Sequence, residues 1–180
     1  MTDTLIITRL NADELAARTS DLAGLLVAVV EDGGAIGFVL PLALSSAETY
    51  WRERVAPMVQ SDGVELYVAM LAGQIAGTVQ LVLATPPNQP HRADICKLMV
   101  HPDARRKGVA RQLMQTALSA ARSNARTLVT LDTRTGDGAQ ALYTAMGFET
   151  VGVIPQYALD PDRSVLHSTT IMYRDLTDDQ

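Results

Sequence analysis

From Leu66 to Pro90 the chain runs 25 residues without a charged side chain. A stretch of that kind belongs either in a lipid bilayer or in a protein core. Gly73, Gln74, Gly77, Thr78 and Gln80 interrupt it, and Pro86-Pro87 closes it. Two buried strands around an Ala72-Gly73 turn fit those breaks, and a membrane-spanning helix does not. The chain is therefore read as one built around a sheet.

The flanking segments supply the rest of a mixed α/β domain. Leu5–Leu10 reads as a first strand, and Asn11 caps a helix with Glu14 at the reciprocal position; that helix is expected to run to about Val30. Gly33-Gly34-Ala35-Ile36-Gly37-Phe38 forces a loop. A second helix starts at Ser45-Ser46 and carries Tyr50, Trp51 and Val55, with Pro57 weakening its end. Strands follow over 64–71, 74–84 and 92–100, then a turn at His101-Pro102-Asp103. Ala110, Leu113, Met114, Ala117, Leu118 and Ala121 repeat at helical spacing and mark the clearest helix. A strand over 127–133, a short helix over 137–146 ended by Gly147, and strands over 148–153 and 164–174 complete the order. Pro155, Pro161 and Asp162 are expected in the loop between the last two strands. No internal repeat divides the 180 residues, a length suited to one domain over 1–180.

Composition excludes several function classes. The net charge is −5, which disfavours general affinity for nucleic acid. A single cysteine, Cys96, leaves no internal disulfide framework and no cluster for structural zinc. His91, His101 and His167 lack metal-ligand spacing, so no metal is proposed. The opening Met1-Thr2-Asp3-Thr4 leads into no basic or apolar leader, so the expected setting is reducing and cytoplasmic, with no membrane partner.

Against that acidic background, Arg105, Arg106, Lys107 and Arg111 cluster at the start of the clearest helix, around Gly108-Val109-Ala110. Amides in a first helical turn point outward, and the helix dipole adds partial positive charge there. Small residues at 108 and 110 would let a diphosphate approach the backbone, with Arg and Lys gripping its outer oxygens. The segment is neither a P-loop nor a dinucleotide fingerprint, because the required glycine and lysine spacings are missing. A solvated basic turn before an ordinary helix is the plainer alternative.

The run Val100-His101-Pro102-x-x-Arg105-Arg106-Lys107-Gly108-Val109-Ala110-Arg111 resembles the acyl-CoA signature of the GNAT superfamily of N-acetyltransferases, Gln/Arg-x-x-Gly-x-Gly/Ala. Ala139-x-x-Leu142-Tyr143-x-x-x-Gly147-Phe148 is similar to the second motif of the same superfamily. Where that motif often carries an asparagine seven residues before its tyrosine, this chain has Gly136. Over residues 30–172, Gly34-Ala35-Ile36-Gly37-Phe38, Lys97-Leu98-Met99-Val100, Leu131-Asp132-Thr133 and Tyr157 are similar to the tabtoxin resistance acetyltransferases.

The resemblance implies a single GNAT-like domain, a mixed and mostly antiparallel sheet flanked by helices. It implies acetyl-CoA as co-substrate, bound by the backbone of Leu98, Met99 and Val100 and by the turn Arg105–Arg111, with a backbone N–H of the former segment facing the reacting oxygen. Tyr143 takes the position of the proton donor to the departing thiolate. Packing of its ring with the hydroxyl at the surface is the alternative. Acetylation of an amine also needs a base, and Asp94 and Asp132 are the candidates. The structural alternatives are Asp132 at a turn and Asp94 paired with Arg92 or Lys97. A mid-strand Cys96 fits packing better than nucleophilic catalysis. Acceptor selection is expected of Gly34 and Phe38 in the glycine-rich loop, Trp51 on the second helix, and Tyr157 in the Pro155–Asp162 loop.

The resulting expectation is direct acetyl transfer, in a ternary complex, to a primary amine of a small molecule, toxin-like or metabolic. Two alternatives stay open: an enzyme acting on protein N-termini or lysines, and a non-catalytic acyl-CoA-binding sensor. The sequence does not fix the oligomeric state, and a homodimer stays open.

Overall fold

The computed structural model describes residues 4–177; Met1–Asp3, on which part of the leader reading rests, lie outside them. β1 (Ile6–Leu10), β2 (Val64–Leu71), β3 (Gln74–Val82), β4 (Arg92–Val100), β5 (Leu128–Arg134), β6 (Glu149–Leu159) and β7 (Leu166–Asp175) form one seven-stranded sheet in the order β1-β2-β3-β4-β5-β7-β6. Every neighbouring pair is antiparallel except β4–β5. The charge-free stretch is the β2–β3 hairpin. Its strands are buried because helices cover both faces, so alternate residues enter different cores: Val64, Leu66 and Val68 one, Tyr67 and Ala69 the other. Among the described residues no helix is long and apolar enough to cross a membrane.

α1 (Ala12–Ala17), α2 (Thr19–Glu31), α3 (Leu44–Tyr50) and α4 (Ala56–Gln60) cover one face. The capping box is present: Asn11 Oδ1 accepts from the Glu14 amide at 2.9 Å, and the Asn11 amide donates to Glu14 Oε2 at 2.8 Å. The expected single helix to Val30 breaks at Arg18, whose backbone is not helical. The Thr19 hydroxyl turns back to the carbonyls of Leu15 and Ala16, satisfying groups the break frees. The second expected helix continues past Pro57 to Gln60. A π-turn over Trp51–Val55, closed by the Ala56 amide on the Trp51 carbonyl, widens the ladder just ahead of the proline.

α5 (Val109–Ser123) and α6 (Gly138–Ala145) lie on the other face. Val109, Leu113, Met114, Ala117, Leu118 and Ala121 of α5 are all buried. Its larger apolar side chains contribute about 1.5–3 kcal/mol each by leaving water. Gly77 makes this closeness possible: a Cβ there would stand 2.6 Å from the Met99 carbonyl oxygen and 3.1 Å from Leu113 and Val109 side-chain carbons. Near the far end of α5, Glu65 is buried yet satisfied by the Tyr67 hydroxyl, the Asn124 amide and Arg9.

Pro155 is not in a loop. β6 continues through it to Leu159, with a register irregularity between Ile154 and Ala158. β6 is the terminal strand, so a residue without an N–H breaks no ladder on its open side.

Candidate active site

β4 and β5 pair only at Arg92↔Leu128, Ala93↔Val129 and Asp94↔Thr130, although β4 continues to Val100 and β5 to Arg134. The separation goes with a β-bulge in β4. Between the pairs Thr78↔Met99 and Gln80↔Cys96, β3 advances two residues while β4 advances three. Lys97 has φ +51°, and its carbonyl accepts from the Thr78 hydroxyl at 3.1 Å. The extra residue reverses which side chains face which core. Ala93 and Ile95 point toward α5, whereas beyond the bulge Leu98 and Val100 do so and Met99 enters the opposite core. The β4 backbone facing β5 thus loses its strand partner, a row of donors and acceptors suited to an extended ligand.

After β4 the chain turns through a short 3₁₀ segment, Pro102–Ala104, into the first turn of α5. Gly108 has φ +80°, and nothing lies within 4 Å of where its Cβ would stand, so the space over the first amides of α5 is open. The bare backbone of β4 and this helix start open into one cleft of about 1010 Å³.

The structure brings most of the expected residues to that cleft. Leu98, Met99 and Val100 line it, as do Arg105, Arg106, Gly108, Val109, Ala110 and Arg111. Arg105 is held by Asp32 at 2.5 Å, and Lys107 is exposed and outside the lining. Gly34, Phe38, Asp132, Tyr143 and Tyr157 also line it. Gly34 sits in the turn that ends α2, its amide donating to the Val29 carbonyl at 2.8 Å, and a Cβ there would lie 2.5 Å from Val29.

Asp132 is exposed, with the Thr169 hydroxyl donating at 3.2 Å. Tyr143 is 6% exposed, its ring tilted against Phe148 with centroids 5.9 Å apart. Burial pushes its phenol above the ordinary tyrosine range, with Asp137 and then Asp132 adding to the effect. Its hydroxyl has no hydrogen-bond partner among the described residues, and the residue borders the cleft.

Besides Lys107, two expected residues are elsewhere. Asp94 does not line the cleft: it is bound by Arg92 and by the Thr130 hydroxyl at the last rung where β4 and β5 still pair. Its place is the seam rather than the opening. Trp51 is completely buried in the core beneath α2 and α3. It reaches the cleft only through a stack of rings, Trp51 on Tyr50 at 5.2 Å and Tyr50 on Phe38 at 5.1 Å, all edge-on.

Sequence reasoning gave no site role to Lys97, Arg134, His167 or Thr169, which also line the cleft. For Lys97 a signal existed: a lysine in an otherwise apolar strand segment, from a chain with thirteen arginines and two lysines. Arg134 and His167 carried none, because their meeting at Asp160 depends on how β5, β6 and β7 associate. Cys96 borders the cleft with its thiol 3.8 Å from Gln80 Oε1, and burial pushes that thiol up, away from nucleophilic use. Among the described residues no three His, Cys, Asp or Glu side chains gather as a metal site.

A sheet parted between two parallel strands, with a cluster of basic residues and open helix amides at the mouth of the gap, defines an α/β protein with room for an extended ligand along an unpaired strand edge. Residues 40–148 match the model of the acetyltransferase (GNAT) family, and the chain belongs to that family. It is 32% identical to rat N-acetyltransferase 8F1 over 130 residues, covering 65% of this chain and 59% of that protein. It is 35% identical to an uncharacterized N-acetyltransferase from the hisH–hisA intergenic region of Azospirillum brasilense, covering 65% of this chain and 70% of that one. The chain thus matches about three fifths of the rat relative's length. Among solved structures, yncA from Salmonella typhimurium with its cofactor acetyl-CoA superposes with a TM-score of 0.74 at 18% identity, over 96% of this chain and 94% of that one.

Proposed function

We propose that this chain transfers the acetyl group of acetyl-CoA to a primary amine of a small molecule, by direct attack in a ternary complex. The observation that carries the reading is the parting of β4 from β5 after three paired positions, directly upstream of the open first turn of α5. The cofactor's chemistry suits both halves: its amide-bearing arm can pair with the backbone of Leu98, Met99 and Val100, and its diphosphate with the amides from Gly108 to Arg111. Arg106 and Arg111 supply positive charge there, with Lys107 at the rim. The acetyl-CoA bound by yncA, a protein of the same fold, is consistent with this assignment.

When bound, the thioester supplies an activated acyl group. The chain's own residues do the rest. Asp132 takes a proton from the incoming ammonium, directly or through water, so that the nitrogen lone pair can form the new C–N bond. A backbone N–H of the Leu98–Val100 segment donates to the carbonyl oxygen as negative charge develops there. As the C–S bond breaks, the Tyr143 hydroxyl donates to the departing sulfur, leaving CoA as its thiol. The phenolate regains its proton from the newly acylated nitrogen, directly or through water, which leaves the neutral amide. Burial raises the phenol, so Tyr143 is protonated and able to donate when the thiolate forms. A small, toxin-like amine is the acceptor favoured here because Phe38, Asp132 and Tyr157 line the same cleft as the bare edge of β4, so an aromatic wall and a carboxylate are both within it.

Calorimetry on Gly108→Glu tests the cofactor assignment. The new side chain adds bulk and negative charge over the helix start, so acetyl-CoA binding should be abolished in a folded variant. Near-native affinity would remove acetyl-CoA from this site. Thiol release from acetyl-CoA across a panel of amines then identifies the acceptor.

A further inference from the structure

The charges lining the cleft are unequally committed. Arg105 is paired with Asp32. Arg134 grips Asp160 with both ends of its guanidinium, at 2.6 and 3.2 Å. Asp137 caps α6 by accepting from the Ala139 and Gln140 amides. Apart from the cations at the start of α5 and the helix-capping Asp137, one ammonium and one carboxylate of the lining have no ion-pair partner among the described residues: Lys97 on β4 and Asp132 on β5.

Lys97 is placed at a cost. A left-handed backbone conformation is unfavourable for a residue with a side chain, and Lys97 adopts it while partly buried and without a counter-ion. Its Nζ lies 3.5 Å from where a Cβ on Gly37 would stand, so the side chain spans from the bulge to the glycine-rich loop that forms the facing wall. Lys97, Cys96 and Asp132 line the same cleft, and the Cys96 thiol, raised mainly by burial, is lowered by Lys97 and raised by Asp94 and then Asp132. An anion and a cation held by a single small ligand would answer both groups at once.

We propose that the acceptor carries a carboxylate beside its amine, as an α-amino acid does, with Lys97 binding the carboxylate and Asp132 receiving the amine. Lys97 is then the specificity-determining residue of the acceptor end. This rests on the acetyltransferase reading above and names its acceptor class.

The test uses the full chain, acetyl-CoA, the proteinogenic L-amino acids and the matching L-amino acid amides, with thiol release as readout and acetyl-CoA affinity measured separately by calorimetry. The preferred free acid should exceed its amide in kcat/KM by at least about tenfold, the loss expected when one charge-assisted contact is missing. Lys97→Met should lower kcat/KM on that acid by about 10- to 100-fold, mainly through KM, while acetyl-CoA affinity is retained. Lys97→Arg should restore part of the preference. Lys97→Gly, which relieves the left-handed backbone, should lose the preference as the methionine variant does. Amides used as well as acids, a preference that survives Lys97→Met, or acetylation confined to amines without a carboxylate would each overturn the proposal. Weakened acetyl-CoA binding in Lys97→Met would also overturn it, by assigning the ammonium to the cofactor. Failure of the wild-type chain to bind acetyl-CoA would overturn the underlying reading, a separate result.

Discussion

Asp94 and Asp132 carry the same functional group, yet the structure gives them different surroundings. Asp94 is tied to Arg92 and Thr130, whereas Asp132 faces the cleft with one hydroxyl donor. Asn at 132 should cut turnover while leaving acetyl-CoA affinity nearly intact. Asn at 94 should leave turnover near the wild-type value and lower stability by about 1 kcal/mol, the worth of a charged hydrogen bond partly screened by water. Steady-state kinetics and urea titrations on both variants check the contrast, and equal loss of turnover in both would return Asp94 to the chemistry. Tyr143→Phe keeps the ring packed on Phe148 and removes only the hydroxyl. Single-turnover acetyl transfer should slow by about 10²- to 10⁴-fold, the range for a positioned acid. A multiple-turnover assay would hide that loss if product release limits the rate. Transfer at the wild-type rate would make Tyr143 a packing residue.

At the scale of elements, the start of α5 depends on a residue in another strand. Gly77→Ala would drive a methyl group against the Met99 carbonyl and the Leu113 and Val109 side chains. Overpacking of that kind costs about 1–3 kcal/mol. Its relief would displace the end of β4 or the first turn of α5, so a lower Tm should be accompanied by weaker acetyl-CoA binding. A melt without any change in affinity would separate this contact from the site. The elements themselves were largely legible: the i, i+3, i+4 repeat of α5, the β2–β3 hairpin and the Asn11 capping box all stand where the sequence puts them. Local signals failed where geometry is set at a distance. Leu15 and Leu22 keep the seven-residue spacing of one helix face, and that spacing hides the break at Arg18. The polar run Arg18-Thr19-Ser20-Asp21 between them is nonetheless a place where one helix can end and another start. The burial of Trp51 depends on how α2 and α3 meet, and the commitment of Asp94 depends on where β4 and β5 part. The bulge at Lys97 left a trace, since Ala93 and Ile95 are out of phase with Leu98 and Val100, but reading it requires knowing which core each residue enters.

For the molecule as a whole, three of its tyrosines have raised pKa values, Tyr67 and Tyr143 buried and Tyr50 partly buried, with removal from water the main cause in each. That of Tyr50 reaches about 12. An unfolded chain ionises its tyrosines near pH 10, so the stability these groups contribute is fully present below about pH 10 and is lost as the pH rises through their folded values. Urea midpoints measured at increasing pH should therefore fall above about pH 10, with most tyrosinate absorbance appearing together with unfolding. Early ionisation in a chain still folded would show that these phenols are reached by water. The three-rung seam between β4 and β5 has a mechanical consequence as well. The sheet is two leaves on a short spine, and a cofactor arm lying along the bare edge of β4 would act as a splint across the gap. Its binding would add to folding stability by mass action, about 2.7 kcal/mol at a hundredfold excess over Kd. Variants that fall apart as purified proteins could then remain folded wherever acetyl-CoA is abundant, and the tolerance of this chain to mutation would follow the metabolic state of its surroundings.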